Sequence, residues 1–185
     1  MFVGDRAAPN IAGGQETLAA SQNAQGSGDP PDWIYQRYGW FQGKDGQWRT
    51  EVPDDKMEMT GKLKKGEGPM PLDQAIKHDE LFKAAPNLRH TTIEAGQPTG
   101  KGAVAEYDPN QDHITVRNPK DLKSTAHEVQ HAVQNDQGFP EDSRGASGSD
   151  PRYWQNKGEE EARDVEKRLQ GPKGTPDLMK HRAAG

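Results

Sequence analysis

Apolar residues fall at helical spacing in two stretches of the chain and alternate in two others. Leu122, Ala126, Val129, Ala132 and Val133 form one stripe, which predicts an amphipathic helix from about residue 122 to 137. Asp121 or Ser124 can cap its start, and Gly138 is placed to end it. Ala162, Val165 and Leu169 make a second stripe, in a helix running from Gly158 to Leu169 and closed by Gly171-Pro172. Tyr38–Gln42 and Gln47–Val52 flank a glycine-bearing turn and read as a β-hairpin, with Trp40, Phe41 and Trp48 as its packing residues. Ala103–Tyr107 and His113–Arg117 form a second hairpin, in which Ile114 and Val116 share one face. Between the hairpins, Leu72–Lys77 and Asp79–Ala85 predict one broken helix or two short ones, Leu88–Glu94 a strand, and residues 53–70 a polar connection. Residues 1–30 are rich in Gly, Ala, Gln, Asn and Ser and read as a flexible arm, within which a short helix around Gly14 to Ala20 is an alternative with few apolar residues to bury.

The polar side of the first helix changes the picture. His127-Glu128-Val129-Gln130-His131 sets two imidazoles four residues apart, about 40° from one another around a helix and opposite the apolar stripe. This H-E-x-x-H spacing is the zinc-hydrolase signature. Neutral imidazole is a good zinc ligand, and the intervening glutamate is placed to take a proton from the water that the metal activates. Such a site needs a third protein ligand. In Gly158-Glu159-Glu160-Glu161 the helical period turns Glu160 away from the apolar stripe and leaves Glu159 and Glu161 on its two flanks, each about 80° off, so periodicity does not choose between them.

Composition limits the alternatives. Leu, Ile, Val and Phe number only 24 of 185 residues, so the core is small, and a bound metal would add to folding stability. There is no cysteine, which excludes thiolate sites and leaves His and carboxylate as ligands. The net charge of −5, with scattered lysines and arginines, argues against a nucleic-acid partner. No segment has the length or apolar character of a signal peptide or a membrane span, so a soluble protein without an export signal is expected.

Several separated motifs carry a family resemblance. His127-Glu-Val-Gln-His-Ala-Val-Gln134, Tyr153 followed by Gly158-Glu-Glu-Glu-Ala-Arg163, Gly39-Trp-Phe-Gln-Gly-Lys-Asp-Gly-Gln-Trp-Arg49 and Glu80-Leu-Phe-Lys-Ala-Ala-Pro-Asn-Leu-Arg89 resemble segments of the zincin-like domain found among the large polyvalent protein-associated domains of phages and mobile elements. The resemblance spans roughly residues 38–170. It implies an α+β fold of the glutamate-zincin kind, with β-hairpins or a short antiparallel sheet and two metal-site helices. The domain organisation expected is a flexible arm over 1–30, a zincin-like domain over 31–170 and a flexible tail over 171–185.

In such folds the third ligand is a glutamate with a small residue three positions later, a pattern matched by Glu159 with Ala162; Glu161 is the second choice. Many glutamate-zincins carry an aspartate four residues after the ligand, where this chain has Arg163. The resemblance thus implies Zn2+ held by His127, His131 and Glu159, with Glu128 as base and Tyr153, ahead of Arg163 and His113, stabilising the oxyanion. His78, His90 and His181 have no partner motif and are expected on the surface. The function expected is a zinc-dependent metallopeptidase acting on a protein or peptide, in a bacterial cytoplasm or associated with a virion. The alternative is a zincin-fold accessory protein with weak or no catalysis.

Overall fold

A computed structural model describes residues 1–43, 45–139 and 157–169. The fold is α+β, with three small sheets and six α-helices among the described residues. The first sheet has the order β1-β3-β2, all antiparallel, from β1 (Phe2–Gly4), β2 (Trp40–Gln42) and β3 (Trp48–Glu51). β2 and β3 are the expected hairpin, and Trp40, Phe41 and Trp48 are buried. A second sheet pairs β4 (Glu58–Met59) with β6 (Ile76–Lys77). The third has the order β5-β7-β9-β8, from β5 (Met70–Pro71), β7 (Thr92–Ala95), β8 (Ala105–Asp108) and β9 (His113–Val116). It is mixed, because β7 and β9 run parallel whereas β8 and β9 form the expected antiparallel hairpin. The predicted strand over Leu88–Glu94 is divided: Pro86–Arg89 forms a 3-10 turn and the strand starts at Thr92.

The helices are α1 (Gly14–Gly26), α2 (Pro31–Tyr38), α3 (Leu72–Ala75), α4 (Asp79–Ala84), α5 (Leu122–Gln137) and α6 (Lys157–Arg168). α5 has the predicted bounds: Asp121 accepts a hydrogen bond from the Ser124 N–H, and Gly138 ends the helix at φ 71°. Its Ala126, Val129 and Val133 join Ile93, Ile114 and Val116 of the third sheet in one core cluster, together with Val165 of α6. Every second residue of β7 and β9 is buried, so Thr92, Glu94, His113 and Thr115 occupy the opposite face.

Residues 1–30 are not a flexible arm. Met1, Phe2 and Val3 are wholly buried, β1 pairs in register with β3, and α1 occupies Gly14–Gly26 ahead of α2, which starts at Pro31. The other edge of β1 is closed by a side chain from the H-E-x-x-H motif itself: Gln130 accepts from the Phe2 N–H at 2.9 Å and donates to the Phe2 carbonyl at 3.0 Å. An exposed strand edge is thereby satisfied within the molecule. α1 packs through small residues, with Gly14, Ser21 and Ala24 buried, and Thr17 accepts from the indole N–H of Trp40 at 3.0 Å. Small side chains let backbones approach closely while adding little to hydropathy, which is why composition alone suggested an arm. The expected tail over 171–185 lies outside the described residues.

Candidate metal centre

α5 and α6 lie against one another, and their facing turns bring three chemistry-bearing side chains together. His127 and His131 stand one helical turn apart, with Nε2 atoms 3.2 Å from each other. Glu159, in the first turn of α6, places one carboxylate oxygen 3.3 Å from His131 Nε2 and the other 3.4 Å from His127 Nε2. Two ligand atoms of a tetrahedral zinc bound at about 2.0–2.1 Å lie about 3.4 Å apart, close to the spacing between the imidazole nitrogens and between each of them and the Glu159 oxygen it meets, and one ligand atom from each of the three residues can be chosen with all within 4.8 Å of one another. The residues fit the ion by geometry and by chemistry. His127 and His131 retain 14% and 20% side-chain exposure against 6% for Glu159, so the cluster can be reached from solvent.

Electrostatics agree with a seat for positive charge. Burial disfavours charge on His131, yet hydrogen bonding to Glu159 and the charges of Glu128 and Glu159 push it up to about 9. Burial likewise works against the Glu159 carboxylate, but the two imidazoles hold it well below the usual carboxylate range. A proton shared among these groups stands where a cation would compensate the same lone pairs. Glu128 differs: burial raises its carboxyl above the usual range, while His131, His127 and a backbone hydrogen bond from Tyr107 on β8 pull it back. It is buried beside the cluster without being one of its three members.

The two candidates for third ligand occupy separate surroundings. Glu159 is in the cluster; Glu161 turns to Arg49 of β3, with its Oε1 2.5 Å from the guanidinium Nε, and accepts from Gln134 Nε2 at 3.0 Å. Arg163 Nη1 lies 3.7 Å from Glu159 Oε2, adding positive charge at the edge of the site. His113 does not belong here. It alternates along β9 with the core residues Ile114 and Val116, so it faces a groove of about 450 Å3 on the far side of the sheet, beside Thr92 at 2.8 Å and Glu94 at 3.8 Å. Tyr153 and His181 lie outside the described residues. His90 is exposed as expected, whereas His78 is buried at the N-cap of α4, where its ring accepts from the Leu81 N–H.

Sequence reasoning missed Arg49, Asp45 and Gln134. Arg49 is buried, bound by both carboxylate oxygens of Asp45 at 2.8 Å and stacked 4.1 Å over the Phe139 ring. Gln134 was legible in principle, since it falls three residues after His131 on the same helical face.

Comparison with known proteins bears on the first third of the chain. A family model described as large polyvalent protein associated domain 23 matches residues 1–60. The match includes the segment expected to be an arm, and it overlaps the sequence resemblance at residues 38–60. No curated protein and no solved structure matches the chain. No helix among the described residues is long and apolar enough to cross a membrane.

Proposed function

We propose that this protein is a zinc-dependent peptidase of the zincin-like kind, with His127, His131 and Glu159 as metal ligands and Glu128 as general base. The observation that carries the reading is the cluster itself: two imidazole nitrogens 3.2 Å apart, each within 3.4 Å of a Glu159 oxygen, with one ligand atom from each residue inside 4.8 Å of the others. A zinc ion bound there supplies Lewis acidity, which makes a water nucleophilic at neutral pH. Glu128 receives the proton of the attacking water and returns it to the leaving amine. A carboxylate with its affinity for protons raised by burial is suited to both steps. Arg163, beside Glu159, contributes positive charge where the scissile carbonyl develops negative charge. Among the described residues β8 is the last strand of its sheet, and its backbone at Tyr107 meets the Glu128 carboxylate.

Elemental analysis tests the ligands: one zinc per chain is expected in the parent and in Glu161→Gln, and none in Glu159→Ala. Glu128→Gln keeps the size of the side chain and removes the base, so zinc and fold should persist while hydrolysis of a peptide library falls by about 10²–10⁴-fold. Absence of zinc from the parent refutes the site. A second reading, an accessory module of a polyvalent protein that binds zinc without turnover, is favoured by the family match at residues 1–60. A zinc-loaded parent that cleaves no peptide would establish that reading in place of the first.

A further inference from the structure

The Gln134 side chain is surrounded by groups that leave its amide only one orientation. Its Nε2 donates to the Gly158 carbonyl at 3.0 Å and to the Glu161 carboxylate at 3.0 Å, and neither acceptor can donate in return. The amide oxygen therefore faces His131 Nδ1, 2.9 Å away. An amide oxygen only accepts, so His131 must carry its proton on Nδ1, and Nε2 is the atom left facing His127 and Glu159.

Glu161 is itself held by Arg49, whose guanidinium is anchored by Asp45 and covered by the Phe139 ring. The ring comes close because residue 4 on β1 is glycine: a Cβ there would meet the Phe139 ring at 2.8 Å. An unbroken chain of contacts thus runs from the N-terminal sheet, through α6, to one imidazole of the cluster.

We propose that Gln134, held by Glu161 and through it by Arg49, is the positioning residue that locks His131 in the Nδ1–H form, and that the N-terminal sheet is thereby part of the metal site. This rests on the reading of His127, His131 and Glu159 as zinc ligands. It assigns a role to the part of the chain that matches the polyvalent-protein domain: residues 1–60 supply the outer end of the support for a site whose ligands all lie beyond residue 120. Outer-shell partners of this type orient a ligand ring before the ion arrives, and their loss commonly weakens binding by about 10–100-fold.

The test uses the full chain with zinc as the probe. Nitrogen NMR of the imidazole rings in the zinc-loaded parent should show His131 protonated at Nδ1 and metal-bound through Nε2. In Gln134→Leu, which keeps the bulk and removes the hydrogen bonds, chelator competition should give a zinc dissociation constant about 10–100-fold weaker. The Nδ1 proton of His131 should exchange faster with solvent there, while the His127 ring signals stay as in the parent. Glu161→Gln should shift zinc affinity and His131 exchange in the same direction by less. His131 bound through Nδ1 in the parent overturns the inference even if neither variant folds, as does parent-like affinity and exchange in Gln134→Leu. Those outcomes leave the metal site standing, whereas a parent that takes up no zinc removes the reading on which the inference depends.

Discussion

The α5–α6 interface holds two buried ionic regions that differ in what balances their charge. Around Arg49, the carboxylates of Asp45 and Glu161 meet a guanidinium that stays protonated at every accessible pH. Around Glu159, the carboxylate meets two imidazoles, with the Arg163 guanidinium at the margin, and the central positive charge is a proton that can leave. A permanent pair contributes to folding and exchanges with nothing. A pair completed by a proton can trade it for a cation, and that separates a structural cluster from a ligand site only a few ångströms away. Gln134 touches both regions and joins them.

The largest effect should come from removing what anchors the arginine region. Deleting residues 1–30 takes away β1, the buried side chains of Met1, Phe2 and Val3, and the strand pairing that supports β3. Thermal unfolding followed by circular dichroism should lose its cooperative transition. A deletion variant that melts like the parent would show that Arg49 is held without β1.

Next in size is the contrast between the two regions under single substitution. Arg49→Met leaves two buried carboxylates without their cation and should cost about 3–5 kcal/mol in urea unfolding of the zinc-free protein. Glu159→Ala leaves His131, which can discharge by losing a proton, so the loss should be smaller, about 1–2 kcal/mol, while zinc uptake disappears. Equal losses of stability would erase the distinction.

Proton exchange sharpens the comparison further. With its affinity raised to about 9, His131 is protonated in the zinc-free protein below that pH and must release its proton to bind the ion. Zinc affinity should therefore rise as pH is raised toward 9, by up to about tenfold per unit. Titration calorimetry in buffers of different ionisation heat should register about one proton released per zinc from this group at pH 7–8. Release of no proton would show that the cluster is not charged in the way described.

The effect most remote from both regions is that of a third imidazole, His78. His78 is lowered to about 4, chiefly by burial and then by the N-terminal ammonium, with Asp54, Asp55 and Asp79 acting in the opposite direction. Its folded affinity for protons lies below the unfolded value of 6.5, so its contribution is present above 6.5 and lost as pH falls through 4. Stability of the zinc-free protein should decline across that window by at most about 1.4 kcal/mol per pH unit from this group. His78→Asn, which keeps an N-cap acceptor, should flatten the decline. An unchanged slope would mean that burial does not depress this histidine and would weaken the contrast with His131, which burial also disfavours and Glu159 rescues.

Much of this was legible before folding, for reasons specific to each element. α5 has five apolar residues on a single stripe, a capping aspartate and a terminal glycine, so its local signals all agree. The two hairpins carry alternation and turn residues. Residues 1–30 carry no such agreement: β1 is three residues long, and the helix after it buries glycine, serine and alanine. Strand pairing across about fifty residues and a glutamine 128 positions away decide their place, and neither leaves a periodic trace. His78 is misjudged from sequence for the same reason, since its burial comes from tertiary packing.

What the sequence determined alone was the identity and spacing of the chemistry: two imidazoles on one helical face, a carboxylate between them, and two carboxylates on the flanks of a later helix. A period of 3.6 residues fixes such relations within an element. Periodicity left Glu159 and Glu161 equivalent with respect to the apolar stripe and the family resemblance pointed to Glu159, but only the tertiary structure supplies the contact that separates them. The arginine presented by β3 captures Glu161 and leaves Glu159 to the histidines. A guanidinium in a low-dielectric interior attracts a carboxylate strongly, and its position follows from strand pairing far from either helix, a relation that helical periodicity does not encode.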